Sequence, residues 1–151
     1  MIKTLLTLGW CGDFHKLKKA AKRDNNYFAR FLYKMFMRKH QSYISRGNSI
    51  ADDLYFPHLT GIIIASGVTI GHGCTIFHHV TLGANRIPGT KRPGVPIIGN
   101  NVFIGAGVRI IGGVRIGNNV KIGAGCVIVD DIPDNCVVVM NKPRIIQKNL
   151  S

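Results

Sequence analysis

Six histidines, at positions 15, 40, 58, 72, 78 and 79, are the side chains best suited to move protons in this chain. All seven acidic residues are Asp, and the absence of Glu excludes every glutamate-based mechanism. Imidazole titrates near neutral pH, so a histidine is the first candidate for a general base acting on a hydroxyl. Four cysteines (Cys11, Cys74, Cys126, Cys136) include no C-x-x-C pair, so neither a zinc site nor a disulfide framework is indicated. A reducing cytoplasm fits that pattern.

The elements that must position these histidines announce themselves by a period of six. Ile64, Ile70, Ile76 and Leu82 are six apart, as are Ile98, Ile104, Ile110, Ile116, Ile122 and Ile128. A second small or branched residue follows four positions later, as at Val68, Cys74, Val80, Val102, Val108 and Cys126. Neither a helix nor an open alternating sheet has this period. It is the hexapeptide signature of a parallel β-helix, with about five coils of eighteen residues, inward-stacked aliphatics and small residues at tight corners. Cys74 and Cys126 then read as core. Between Leu82 and Ile98 the spacing breaks at a stretch rich in Pro, Gly and cations, which predicts a loop over 84–96 extruded at a corner.

Charge divides the chain unevenly. The whole carries +13, of which residues 1–43 contribute ten basic against two acidic residues. The domains read as a basic helical segment over 1–43, the β-helix over 44–133 and a tail over 134–151. Asp13 is a candidate N-cap, followed by a stripe of Phe14, Leu17 and Ala21, and Asp24-Asn25-Asn26 reads as a turn or fresh cap. Phe28, Phe31, Leu32, Met35 and Phe36 then share one helical face, with Arg30, Lys34 and Arg38 on another. Such a stripe packs on the main domain or a second subunit, or else residues 13–40 touch a membrane surface. No export signal is read before Trp10, and no apolar run suffices for a membrane span.

HLTGIII (His58–Ile64), FHHVTLG (Phe77–Gly83), the extruded loop, FIGAGVRIIGGVRIG (Phe103–Gly117) and KIGAGCVI (Lys121–Ile128) resemble serine acetyltransferases and the related sugar and capsule O-acetyltransferases. The resemblance implies a left-handed β-helix, a homotrimer or larger assembly, and acetyl-CoA in a groove between coils or subunits, with no metal. It gives His58 the role of general base. The family's Asp partner about fifteen residues upstream is Tyr43 here, its Asp before the His is Pro57, and its loop-end Arg-His is Gly94-Val95. Those replacements favour a sugar hydroxyl of a surface polysaccharide or its precursor over serine, with serine the alternative.

The acceptor side of the site is assigned to His78, His79, Asp52 and Asp53. Counting 18 + 2 residues from His58 brings His78 over it one coil later, and His79 points away. His72, between glycines, reads as a corner residue. The resemblance sets Ala106 and Ala124 against the pantetheine arm, with Lys121, Lys142 and Arg144 toward the phosphates. Arg109, Arg115 and Lys121 point outward on three different faces. Two other classes compete: a zinc enzyme like the γ-class carbonic anhydrases, whose histidine spacing is missing, and a non-catalytic polyanion-binding scaffold. The charge by itself does not require nucleic acid, and none is expected as a partner.

Overall fold

The computed structural model describes residues 10–22, 26–142 and 146, without the side chains of 10–13. Among the described residues, thirteen two- and three-residue strands form three parallel sheets: β1 (Tyr43–Ile44), β3 (Ile63–Ile64), β6 (Thr81–Gly83), β9 (Arg109–Ile111) and β12 (Val127–Ile128) in the first, β2 (Ser49–Ile50), β4 (Thr69–Ile70), β7 (Ile97–Ile98) and β10 (Arg115–Ile116) in the second, and β5 (Thr75–Ile76), β8 (Phe103–Ile104), β11 (Lys121–Ile122) and β13 (Val137–Val138) in the third. The chain visits the three sheets in turn, with the Tyr55–Thr75 and Ile132–Ile116 bridges standing in for a strand in the first and last coils, and so winds as a β-helix of five coils. The β-helix is left-handed.

Each inward aliphatic meets its copy one coil away. In the first sheet Ile44, Ile64, Leu82, Ile110 and Ile128 pair in register across β1 (Tyr43–Ile44), β3 (Ile63–Ile64), β6 (Thr81–Gly83), β9 (Arg109–Ile111) and β12 (Val127–Ile128). Ile76, Ile104 and Ile122 do the same in β5 (Thr75–Ile76), β8 (Phe103–Ile104) and β11 (Lys121–Ile122). All eight are buried, and full burial of one such side chain contributes roughly 1.5–3 kcal/mol. Cys74 and Cys126 lie in this core, and burial pushes the Cys74 thiol above its ordinary range.

Arg109, Arg115 and Lys121 stand in β9, β10 and β11, one in each sheet, and all are exposed. The β-helix starts at Tyr43, and its last strand, β13 (Val137–Val138), lies inside the segment expected to be tail. Pairing with β11 draws that segment into a fifth coil, with Ile132 bridged to Ile116.

Residues 84–96 leave between β6 and β7 (Ile97–Ile98) and are closed at their base by an Asn85–Gly94 antiparallel bridge. Arg92 ties the loop down, with its guanidinium 2.6 Å from Asp131 and its carbonyl accepting from Gly113 N. The Arg115 N–H and that guanidinium hold the Asp131 carboxyl below the usual carboxylate range.

Two helices, α1 (Trp10–Lys22) and α2 (Tyr27–Lys39), cap the first coil. The Phe14 ring meets Phe56 edge to face at 5.1 Å, His15 Nε2 reaches Leu54 O at 2.8 Å, and Arg46 Nη1 donates to Ala21 O at 2.8 Å. Lys18 Nζ donates to Asn48 O at 3.0 Å, and burial, then the nearby Lys22 charge, hold its amine below the ordinary lysine range. The first helix begins at Trp10, so Asp13 lies within it and is not its N-cap. Asn26 caps the second helix, accepting from Ala29 N at 2.9 Å.

The stripe that α2 buries differs from the expected one. Ala29, Tyr33 and Met37 face the coil, while Phe28, Phe31 and Met35 are exposed and Leu32 and Phe36 sit at the edge. Tyr33 selects this face by donating its hydroxyl to Ile44 O at 2.7 Å, so that burying its polar end costs nothing unpaired.

Candidate active site

The corner joining the third sheet to the first carries the candidate chemistry. In the first coil this corner holds two more residues than in the next, which is why β1 and β3 pair at an offset of twenty rather than eighteen. The extra length carries His58 outward between buried Phe56 and Leu59. Ser42 braces the bulge: its hydroxyl accepts from Ile62 N at 3.0 Å and lies 3.0 Å from His40 O and 3.4 Å from Leu59 O. Gly61 N donates to His40 O at 3.2 Å, so the end of α2 is bonded directly to this corner.

The corner one coil later holds His78 and His79. The rings of His58 and His78 lie 5.9 Å apart and edge to face at 71°, and those of His78 and His79 are 5.3 Å apart. The 18 + 2 register therefore brings three imidazoles together. Among the described residues, Nδ1 of His78 is buried without a hydrogen-bond partner. His79 adopts a left-handed φ of 57° and donates its N–H to Thr60 O at 2.9 Å. Its ring lies over Gly61 rather than turning away, against the expectation for alternating strand residues. A Cβ at Gly61 would collide with His79 Nδ1, and Gly61 itself has φ +65°. Sequence reasoning did not find this glycine. Its signal was the shared corner position, eighteen residues before His79.

Above His78 the same corner is lined by small residues. Gly107 N donates to His78 O at 3.0 Å and Gly125 N donates to Ala106 O at 2.8 Å, so His78, Ala106 and Ala124 follow one another up one edge. Ala106 is half-buried and Ala124 exposed, leaving a shallow track of about 10 Å over two coil steps. Lys121 stands three residues before Ala124 on the third sheet, and Lys142 is exposed. Arg144 lies outside the described residues.

Asp52 and Asp53 belong elsewhere. Asp53 Oδ2 accepts from Gly73 N at 3.0 Å, and Oδ1 lies 3.3 Å from Nδ1 of exposed His72. The Gly73 N–H, followed by His72, holds the Asp53 carboxyl below its ordinary range. This is the corner between the second and third sheets, marked upward by Asn101, Asn119 and Asn135, whose side chains form a hydrogen-bonded ladder. Asp52 lines a hollow of about 230 Å³ with Lys18 and Lys22. Within one chain, neither carboxylate shares the His58 corner. The physical reason is the period: five or six residues carry the chain to the next corner.

The arrangement can place an imidazole base at the foot of a narrow, open track. A hydroxyl at His58 and an extended thioester along Ala106 and Ala124 would meet there.

Comparison with known proteins points the same way. The family described as bacterial transferase hexapeptide (six repeats) matches residues 96–130. A serine acetyltransferase of Buchnera aphidicola is 42% identical over 100 residues, covering 66% of this chain and 38% of that protein. The putative colanic acid biosynthesis acetyltransferase WcaB of Escherichia coli is 44% identical over 88 residues, covering 58% of this chain and 52% of that protein. Serine acetyltransferase isoform 3 of Entamoeba histolytica, solved with cysteine, superposes at a TM-score of 0.76 with 31% identity, over 93% of this chain and 52% of that one. The Neisseria gonorrhoeae serine acetyltransferase solved with serine gives 0.71 and 31%, over 88% and 55%. The chain thus spans about half or less of the length of these relatives.

Proposed function

We propose that this chain, which belongs to the hexapeptide-repeat transferases, is an acetyl-CoA-dependent O-acetyltransferase whose general base is His58. The observation that carries the proposal is the single corner shared by His58, His78, Ala106 and Ala124.

An imidazole nitrogen of His58 accepts the proton of the acceptor hydroxyl as its oxygen attacks the thioester carbonyl. The co-substrate supplies an activated acetyl group and a thiolate leaving group. His58 then returns its proton to the departing sulfur, so the base leaves the cycle as it entered. His78 borders the acceptor, its ring lying 5.9 Å from that of His58. Ala106 and Ala124 let the pantetheine arm lie close to the coils, while Lys121 and Lys142 meet phosphate charge.

The acceptor proposed is a sugar hydroxyl of a polysaccharide or its precursor. Pro57 and Gly94-Val95 stand where the resemblance gives serine acetyltransferases their substrate-holding Asp and Arg-His, and Tyr43 where it gives the Asp partner of the base. A relative named for colanic acid biosynthesis supports this choice, and the more numerous relatives named for serine support serine as the second reading. A homotrimer accords with the corner's openness and with the exposed apolar pair Tyr43 and Ile63, side by side on the first sheet.

The test follows free CoA thiol with acetyl-CoA and a panel of nucleotide sugars, oligosaccharide fragments and serine. Turnover is expected with a sugar acceptor and a fall of about 10²–10⁴-fold in His58→Ala. Full turnover in that variant would overturn the role of His58, and turnover with serine alone would replace the sugar reading.

A further inference from the structure

The face of α2 turned away from the β-helix is the largest feature that acetyl transfer leaves unused. At about 100° per residue, Tyr27, Phe28, Phe31 and Met35 fall within an arc of about 100° on the helix surface. Their exposures are 73, 53, 59 and 49%. Arg30 and Lys34 border this stripe on one side and Lys39 on the other, with Arg38 in line with it at the C-terminal end, all exposed. The sequence from 25 to 51 has no acidic residue, and among the described residues none of these cations is in a salt bridge. The exposed Lys16, Lys19 and Lys22 of α1 add to the same charge.

We infer that this face docks on the surface of an anionic phospholipid bilayer, with Phe28, Phe31 and Met35 entering the interface and Arg30, Lys34, Arg38 and Lys39 meeting lipid phosphates. Thirteen residues make a helix of about 20 Å, too short to span a bilayer but suited to lying in its surface. The apolar stripe runs along the helix axis, so its side chains reach one depth together. The flanking cations have long stems that keep their charges at headgroup level. Beneath them, Arg30, Lys34, Arg38 and Arg46 line a cavity of about 590 Å³ with Phe31 and Tyr43, large enough for a headgroup phosphate.

Charge selects this occupant. A second copy meeting the same face would set arginines and lysines against their own kind, and α2 itself carries no acid to relieve them. An anionic bilayer complements both the stripe and its border. Docking there would also hold the His58 corner close to the lipid, because His40 at the end of α2 accepts from Gly61 N. The inference does not depend on the reaction.

The experiment is sedimentation of the purified full chain with vesicles of phosphatidylcholine alone or with about one third phosphatidylglycerol. Binding is expected only to the anionic vesicles, and to weaken with added salt. Phe28→Ser with Phe31→Ser should cut it at least tenfold, whereas Phe28→Leu with Phe31→Leu should retain it. Arg30→Gln with Lys34→Gln should also lose at least tenfold. Unchanged circular dichroism and unchanged CoA-thiol release would show that the variants are folded. No binding to anionic vesicles at low salt would overturn the inference, as would an unaffected Phe-to-Ser pair. So would a Phe-to-Ser pair that lowers the mass at sedimentation equilibrium, since the face would then be covered by another copy.

Discussion

The His58 and His78 rings stand 5.9 Å apart, edge to face, although twenty residues separate them in sequence. The contact arises from a two-residue excess at one corner of the first coil, and it places a buried, unpartnered Nδ1 beside the proposed base. A buried polar atom left unpaired costs about 1–3 kcal/mol, so an imidazole at position 78 is kept at some expense of stability.

Replacing His78 by Phe should separate those two facts. Phe keeps the ring and removes the nitrogen, so stability to urea should be unchanged or rise by up to about 1–3 kcal/mol. The KM for the acceptor should nevertheless rise about tenfold, the effect of one lost hydrogen bond of about 1.4 kcal/mol. An unchanged KM would reduce His78 to a packing residue.

Ala124 tests the track above the histidines. It is exposed at the corner, so Ala124→Trp should leave the melting temperature within a degree or two while filling the path proposed for the pantetheine arm. The expected outcome is a KM for acetyl-CoA at least tenfold higher, with kcat little altered at saturation. A fall in kcat at unchanged KM would mean that the track runs elsewhere.

How much of this could be read beforehand depends on whether neighbours in space repeat in sequence. The inward aliphatics are legible because each coil meets the same requirement, so Ile76, Ile104 and Ile122 recur at fixed steps and are buried together. The approach of His78 to His58 is legible for the same reason, once the offset of two is counted. Proximity in sequence misleads for Asp53, five residues from His58, because that distance is one corner of the coil. The buried face of α2 was also beyond reach of periodicity. Two stripes compete there, and the less apolar one wins because the Tyr33 hydroxyl finds Ile44 O. Nothing local to the helix encodes that partner.

Gly61 should be intolerant of the smallest side chain. At φ +65° an L-residue costs about 1–2 kcal/mol, and the Cβ must also displace the His79 ring. Gly61→Ala is therefore expected to lower urea stability by at least that amount and to reduce turnover with it, since the displaced His79 ring lies 5.3 Å from that of His78. Gly107→Ala is the control. It has φ +70° at the same corner but no atom within 4 Å of its Cβ, so it should show the backbone cost alone. Equal losses in the two variants would remove the argument from His79.

The extruded loop should loosen in acid. Asp131 has its carboxyl held below the usual range by the Arg115 N–H first and the Arg92 guanidinium second. A depressed acid contributes its stabilisation above the unfolded pKa, near 3.9, and loses it as pH falls through the folded value. The anchoring of 84–96 is therefore complete at neutral pH and disappears only below about pH 4. Hydrogen exchange should show the Arg115 and Gly113 amides losing protection there, ahead of inward-strand amides such as Ile104. Asp131→Asn keeps an acceptor for Arg115 N but removes the ion pair with Arg92. It should reproduce part of the loosening at neutral pH, with faster tryptic cleavage after Arg86 and Lys91, both exposed on the loop. Cleavage as slow as in the parent chain would show that the Asn85–Gly94 bridge holds the loop without Asp131.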